Sequence, residues 1–86
     1  MHRVELTELR GNAYSVNYNG RTIVERSHSP ELDAAVALDA LGIVGSFATF
    51  TPGSTLSRMR VADISEAAEC RREVLAQIAN AFRKAA

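Results

Sequence analysis

Asn19-Gly20 stands between two runs of alternating character, "NAYSVNY" and "RTIVERS", and no other feature limits the fold of this chain so tightly. Both central positions of a two-residue hairpin must accept positive φ, which this dipeptide does at low cost. The turn sets a register with Tyr18 opposite Arg21, Val16 opposite Ile23 and Tyr14 opposite Glu25. Tyr14, Val16, Tyr18 and Ile23 then share the expected core face; Ser15, Asn17, Thr22 and Arg26, with Val24 among them, take the other. Ahead of the hairpin, "RVELTEL" alternates as a further strand that turns at Arg10-Gly11-Asn12.

The next segment, "HSPELDAAVALDALGI", is a helix with both ends marked. Ser29 stands at the N-cap and Pro30 at the first helical position, with Glu31 and Asp33 near the positive end of the dipole. Gly42 suits the left-handed position after the last turn, so that Ile43 folds back on Leu38. Ala34, Ala37, Leu38 and Leu41 form one apolar face while Leu32 and Val36 lie almost opposite. Such a helix needs cover on two sides, from the sheet and from a second helix or another subunit.

"VGSFATFTPGSTLSRMRV" reads as a second hairpin through Pro52-Gly53-Ser54. Pairing Thr51 with Thr55 sets Phe47 opposite Met59 and Phe50 opposite Leu56. The last helix, about 63–84, starts at Asp63 with Glu66 three residues on, a capping arrangement, and ends with Arg83 and Lys84 at its negative pole. The expected fold is α+β: one domain over residues 1–86, with an antiparallel sheet of four to five strands in βββ-α-ββ-α order and two helices on one face.

An 86-residue chain of this class buries only roughly 60–65% of its unfolded surface. With no Trp, five aromatics and many alanines, its core is thin, and a second subunit is one way to thicken it. Ten basic residues balance ten acidic ones, which gives no general pull towards nucleic acid or an anionic membrane. The polarity is mild: the part up to Ile43 carries four basic and six acidic residues, the remainder six and four. Cys70 is the only cysteine, so no intrachain disulfide exists and a reducing compartment is expected. "MHRVELTELR" lacks the apolar core of a secretion signal and no run is long enough to span a bilayer, so the expected location is cytoplasmic.

Catalytic and metal chemistry find little support. His2 falls at the terminus, where fraying is expected, and His28 sits in the exposed loop "ERSHSP" beside serines that are merely sequence neighbours. Two scattered histidines and one cysteine make no zinc site, and the glycines stand singly at turns without a phosphate-binding loop. Cys70, at the margin of the last helix's stripe, reads as a small packing residue. No cofactor is expected.

In the last helix Ile64, Ala67, Ala68, Val74, Leu75, Ile78, Phe82 and Ala85 fall within about a third of the circumference. Arg71 sits in the seam of that stripe. Its guanidinium must reach water or an acceptor: it either snorkels past small alanines, or pairs with Asp39 or an acidic residue of a partner, or binds an anion. The helix is longer than a short sheet and a twelve-residue helix can cover, so its part from Ile78 to Phe82 is expected to overhang. Arg71, Leu75, Ile78 and Phe82 are therefore the candidate interface. A weaker alternative uses Arg58 and Arg60 of "SRMRV", on one side of a strand, with Arg71 and Arg72 to contact nucleic acid.

The segments Gly20–Val24, Ser27–Asp33, Gly42–Gly45 and Asp63–Ala68, within "GRTIVERSHSPELDAAVALDALGIVG" and "RVADISEAA", resemble a group of small bacterial and prophage-borne proteins of unknown function. The likeness spans about two-thirds of the chain, leaving out the first ten residues and everything after Glu69. It implies a bacterial or phage setting and a shared fold, and it carries over no catalytic residue. The expectation is a non-enzymatic protein-interaction module acting as a homodimer; an accessory nucleic-acid binder is the alternative and a very small enzyme comes third.

Overall fold

The computed structural model describes residues 1–52 and 60–85, with the backbone alone at Arg60, Lys84 and Ala85. The elements are β1 (His2–Glu8), β2 (Tyr14–Tyr18), β3 (Arg21–Ser27), α1 (Pro30–Ala40), β4 (Ser46–Phe50), β5 (Arg60–Asp63) and α2 (Ile64–Ala85). The expected α+β class and βββ-α-ββ-α order are present. The strands form one sheet in the order β3-β2-β1-β4-β5.

One expectation about the sheet is corrected. It is mixed rather than antiparallel throughout, because β1 and β4 run parallel, with Val4 beside Thr49. The cause is the connection. A helix laid across the sheet returns the chain to the end from which it came, so the strand after it repeats the direction of the strand before. With β2 already occupying one side of β1, β4 takes the other.

The first hairpin keeps its turn and loses its register. Asn19 and Gly20 have φ of 51° and 78°, and Tyr18 lies opposite Arg21 as the dipeptide demands. Beyond Asn17 and Thr22, however, β3 carries two irregularities, so Val16 meets Val24 instead of Ile23 and Tyr14 meets Ser27 instead of Glu25. Extra residues on an edge strand bend it and spoil it as a template for further pairing. Here they also bring Ser27 inward, where it is buried beside α1.

Helix α1 ends as its sequence dictates. Gly42 has φ 77°, its N–H donates to Asp39 O, and the Ile43 N–H donates to Leu38 O at 3.0 Å, the two bonds of a Schellman ending. Its start differs in detail. Ser29 holds the N-cap position without a side-chain cap bond; its own N–H donates to Ser27 Oγ instead. Leu41, expected on the buried face with Ala34 and Leu38, is exposed at the C-cap, although its own backbone is still helical with φ −81°.

The pairing of β4 with β5 differs in register from the expected one. Phe47 pairs with Ala62 rather than Met59, and Thr49 with Arg60; the proposed partners Thr55, Leu56 and Met59 lie outside the described residues. The register is counted from the helix and not from the turn. The Ile64 N–H donates to Gly45 O at 2.9 Å, which pins the end of β5 to the start of β4. Asp63 then caps α2 by accepting from the Glu66 N–H.

The core lies between one sheet face and the helices: Val4, Leu6, Val16 and Phe47 from strands, Ala34, Ala35 and Leu38 from α1, Ile64 and Ala68 from α2. The opposite sheet face is largely polar. There Thr22 Oγ1 donates to Asn17 Oδ1, and the Arg3 guanidinium stacks over the Phe50 ring at 4.8 Å.

Candidate functional site

In α2 the residues Ile64, Ala68, Arg71, Leu75, Ile78 and Phe82 follow one another at alternating gaps of four and three. That spacing averages 3.5 and makes a straight seam for a second helix to pack on. The first half of the seam is used: Ile64 and Ala68 are fully buried with α1 and the sheet. The second half is free, with Leu75 48%, Ile78 47% and Phe82 74% exposed and Val74 beside them at 41%. Length explains the division. α1 has 11 residues and α2 22, so α2 runs on for about 16 Å beyond what α1 can cover at ~1.5 Å per residue. The overhang expected from Ile78 starts earlier, since every residue from Arg72 to Arg83 is exposed.

Arg71 marks the boundary between the two halves. Its Nε donates to Asp33 Oδ1 at 3.2 Å, while Asp33 Oδ2 accepts from Ser27 Oγ, which in turn accepts from the Ser29 N–H at 2.9 Å. The end of β3, the first turn of α1 and the middle of α2 are thus tied through one carboxylate. The ion-pair reading of Arg71 is the one realised, with a different aspartate: Asp39 is taken by Arg72, whose Nη2 lies 2.6 Å from Asp39 Oδ2. Consecutive helical residues diverge by about 100°, so the two arginines reach different flanks of α1.

The two pairs differ in what they hold. The Arg71 and Asp33 side chains are 22% and 31% exposed, and removing one partner strands the other together with Ser27. Asp33→Ala is expected to lower stability by about 1.5–3 kcal/mol. Asp39→Ala, which frees the half-exposed Arg72, is expected to lower it by about 1 kcal/mol or less. Urea titrations of both variants check the order; equal losses would refute the boundary role of Asp33.

Elsewhere the sequence reading needs two corrections. His2 is not frayed. It lies in β1, half-buried, with Nδ1 2.8 Å from Tyr18 Oη and Nε2 3.1 Å from Val44 O. A carbonyl can only accept, so in this contact Nε2 donates, and in the neutral ring Nδ1 accepts from the tyrosine hydroxyl. The alternation His2, Val4, Leu6 already placed it on the core face. Cys70 is exposed rather than packed, on an open groove that it lines with Leu32, Val61 and Ala67. His28 is exposed, as expected of its loop.

Among the nucleic-acid candidates, Arg58 lies outside the described residues and Arg60 opens β5, while Arg71 and Arg72 are both engaged by aspartates. No group of His, Cys, Asp or Glu among the described residues is arranged to hold a metal ion. No described helix is long and apolar enough to cross a membrane. A groove between the first hairpin and the end of α1, with Tyr18, Arg21, Thr22, Ile23, Ala37 and Leu41 in its lining, is open to solvent. The chain matches no protein-family model, no curated protein and no solved structure.

Proposed function

We propose that this domain is a small non-enzymatic protein-interaction module that acts as a homodimer through the free half of the α2 seam. The observation that carries the reading is the row Leu75, Ile78 and Phe82, exposed on a helix whose first two seam residues, Ile64 and Ala68, are fully buried. A contiguous apolar row on a regular helix is unfavourable in water and is favoured only if another surface covers it. Its flanks are suited to a helical partner. Ala79 and Ala81 are small enough for close approach, and the exposed charges Glu73 and Arg83 lie off the seam. The resemblance noted above adds a bacterial or prophage setting and a cytoplasmic location to the proposal.

Sedimentation across a concentration series tests it. The expected result is a mass that rises from one chain to two as the protein is concentrated. A single-chain mass throughout the series would refute the homodimer. The alternative, a nucleic-acid accessory role for Arg58, Arg60, Arg71 and Arg72, loses two of its four residues to internal ion pairs. Salt-sensitive retention on duplex DNA would favour it instead.

A further inference from the structure

Resting on that self-association, we infer that the two copies pair antiparallel through residues 75–85 of α2, about a two-fold axis at the height of residue 80. The inference comes from what already occupies the seam. Over Ile64–Arg71 its open side is filled by the chain's own α1, whose Ala34, Ala35 and Leu38 share one core with Ile64 and Ala68, and whose Asp33 holds Arg71. A second helix running parallel would have to lay its own Ile64–Arg71 along that same side, through the space of α1. Two bodies cannot share it.

An antiparallel helix enters from the free end instead and stops at Leu75, where the cover of α1 ceases. Each seam is then covered over its first half by its own α1 and over its second half by the other copy's helix, with no apolar position left over.

The same packing selects the register. In antiparallel coiled coils the two kinds of seam position alternate across the interface. Placing Ile78 level with Phe82 of the second copy puts a branched aliphatic against an aromatic twice over by symmetry. It centres the pair near residue 80, with Ala79 and Ala81 on the flanks. Positions 74, 75, 78, 79, 81 and 82 carry no charge, so none is desolvated. A slip of one heptad would bring Phe82 of one copy level with Arg71 of the other, against α1 again. Three helical turns form less than a standard interface, so the dimer is expected to dissociate on dilution rather than to be obligate.

Glu73 and Asn80 offer a direct test, being one heptad apart on the same exposed face and remote from the seam. In a Cys70→Ser background, which removes the exposed native thiol, Glu73→Cys and Asn80→Cys are each labelled with a nitroxide. Label-to-label distances are then measured by pulsed dipolar resonance at concentrations where sedimentation finds the dimer. Antiparallel pairing makes the Asn80 distance the shorter, since those labels are level. The Glu73 labels are offset along the axis by about fourteen residues, or about 21 Å. Equal distances would mean parallel helices, and a longer distance at Asn80 another surface. Either overturns the antiparallel pairing while self-association stands. A chain that stays monomeric at every concentration overturns both.

Discussion

Phe47→Ala is expected to remove about 3–5 kcal/mol of stability, the transfer free energy of a large aromatic plus the cavity it leaves. Phe47 is the largest of the fully buried side chains, 2% exposed. It lies in β4, between β1 and β5, on the face that meets the helices. Much of the neighbouring core is alanine, from Ala34 and Ala35 of α1 to Ala68 of α2, and small side chains cannot move in to fill the gap. At about 0.05–0.15 kcal/mol per residue a domain of this size has roughly 4–13 kcal/mol in all, so one substitution removes a large share. The measurement is a urea titration at fixed protein concentration, where the midpoint should fall steeply with the slope unchanged. A midpoint close to the parent's would show that the core is centred elsewhere.

The second large effect concerns assembly. Ile78→Glu puts a carboxylate in the middle of the free seam, level with apolar residues of the second copy. Burying an unpaired charge there is unfavourable enough to abolish the dimer, and the variant is expected to sediment as one chain wherever the parent sediments as two. Its own fold should not suffer. Ile78 is 47% exposed and belongs to no core cluster, and glutamate is at least as good a helix former as isoleucine. Under dilute conditions, with both proteins monomeric, stability should agree within about 0.5 kcal/mol. Gln77→Glu is the control, adding the same charge to the far side of the same helix. If Ile78→Glu still dimerises, or if Gln77→Glu abolishes the dimer equally, the seam is not the interface.

The candidate surface was legible because it depends on phase and length alone. The stripe of α2 can be counted residue by residue, and the shortness of α1 follows from Pro30 and Gly42. What could not be counted was which acceptor takes Arg71. Asp39 lay at a plausible height, yet Asp33 receives it, since the choice rests on the angle at which α2 crosses α1, and that angle is set by the whole interlocked core. The buried Ser27 was hidden for a similar reason. The turn at Asn19-Gly20 places it by counting, and two bulges in β3 then shift the count.

What the amino-acid order determined by itself was every feature set by a few neighbouring dihedrals and hydrogen bonds. These are the positive φ of Asn19 and Gly20, the ends of α1 at Pro30 and Gly42, the cap of α2 at Asp63 and the amphipathic phase of α2. Only the tertiary structure decided the parallel docking of β4 on β1, the registers of both hairpins beyond their turns, and the pairing of Arg71 with Asp33. The physical reason is range. A cap or a turn is selected by contacts within one helical turn or one dipeptide, whereas the position of β4, β5 and α2 is selected by burying Phe47, Leu38 and Ile64 together, and no local stretch contains more than one of them.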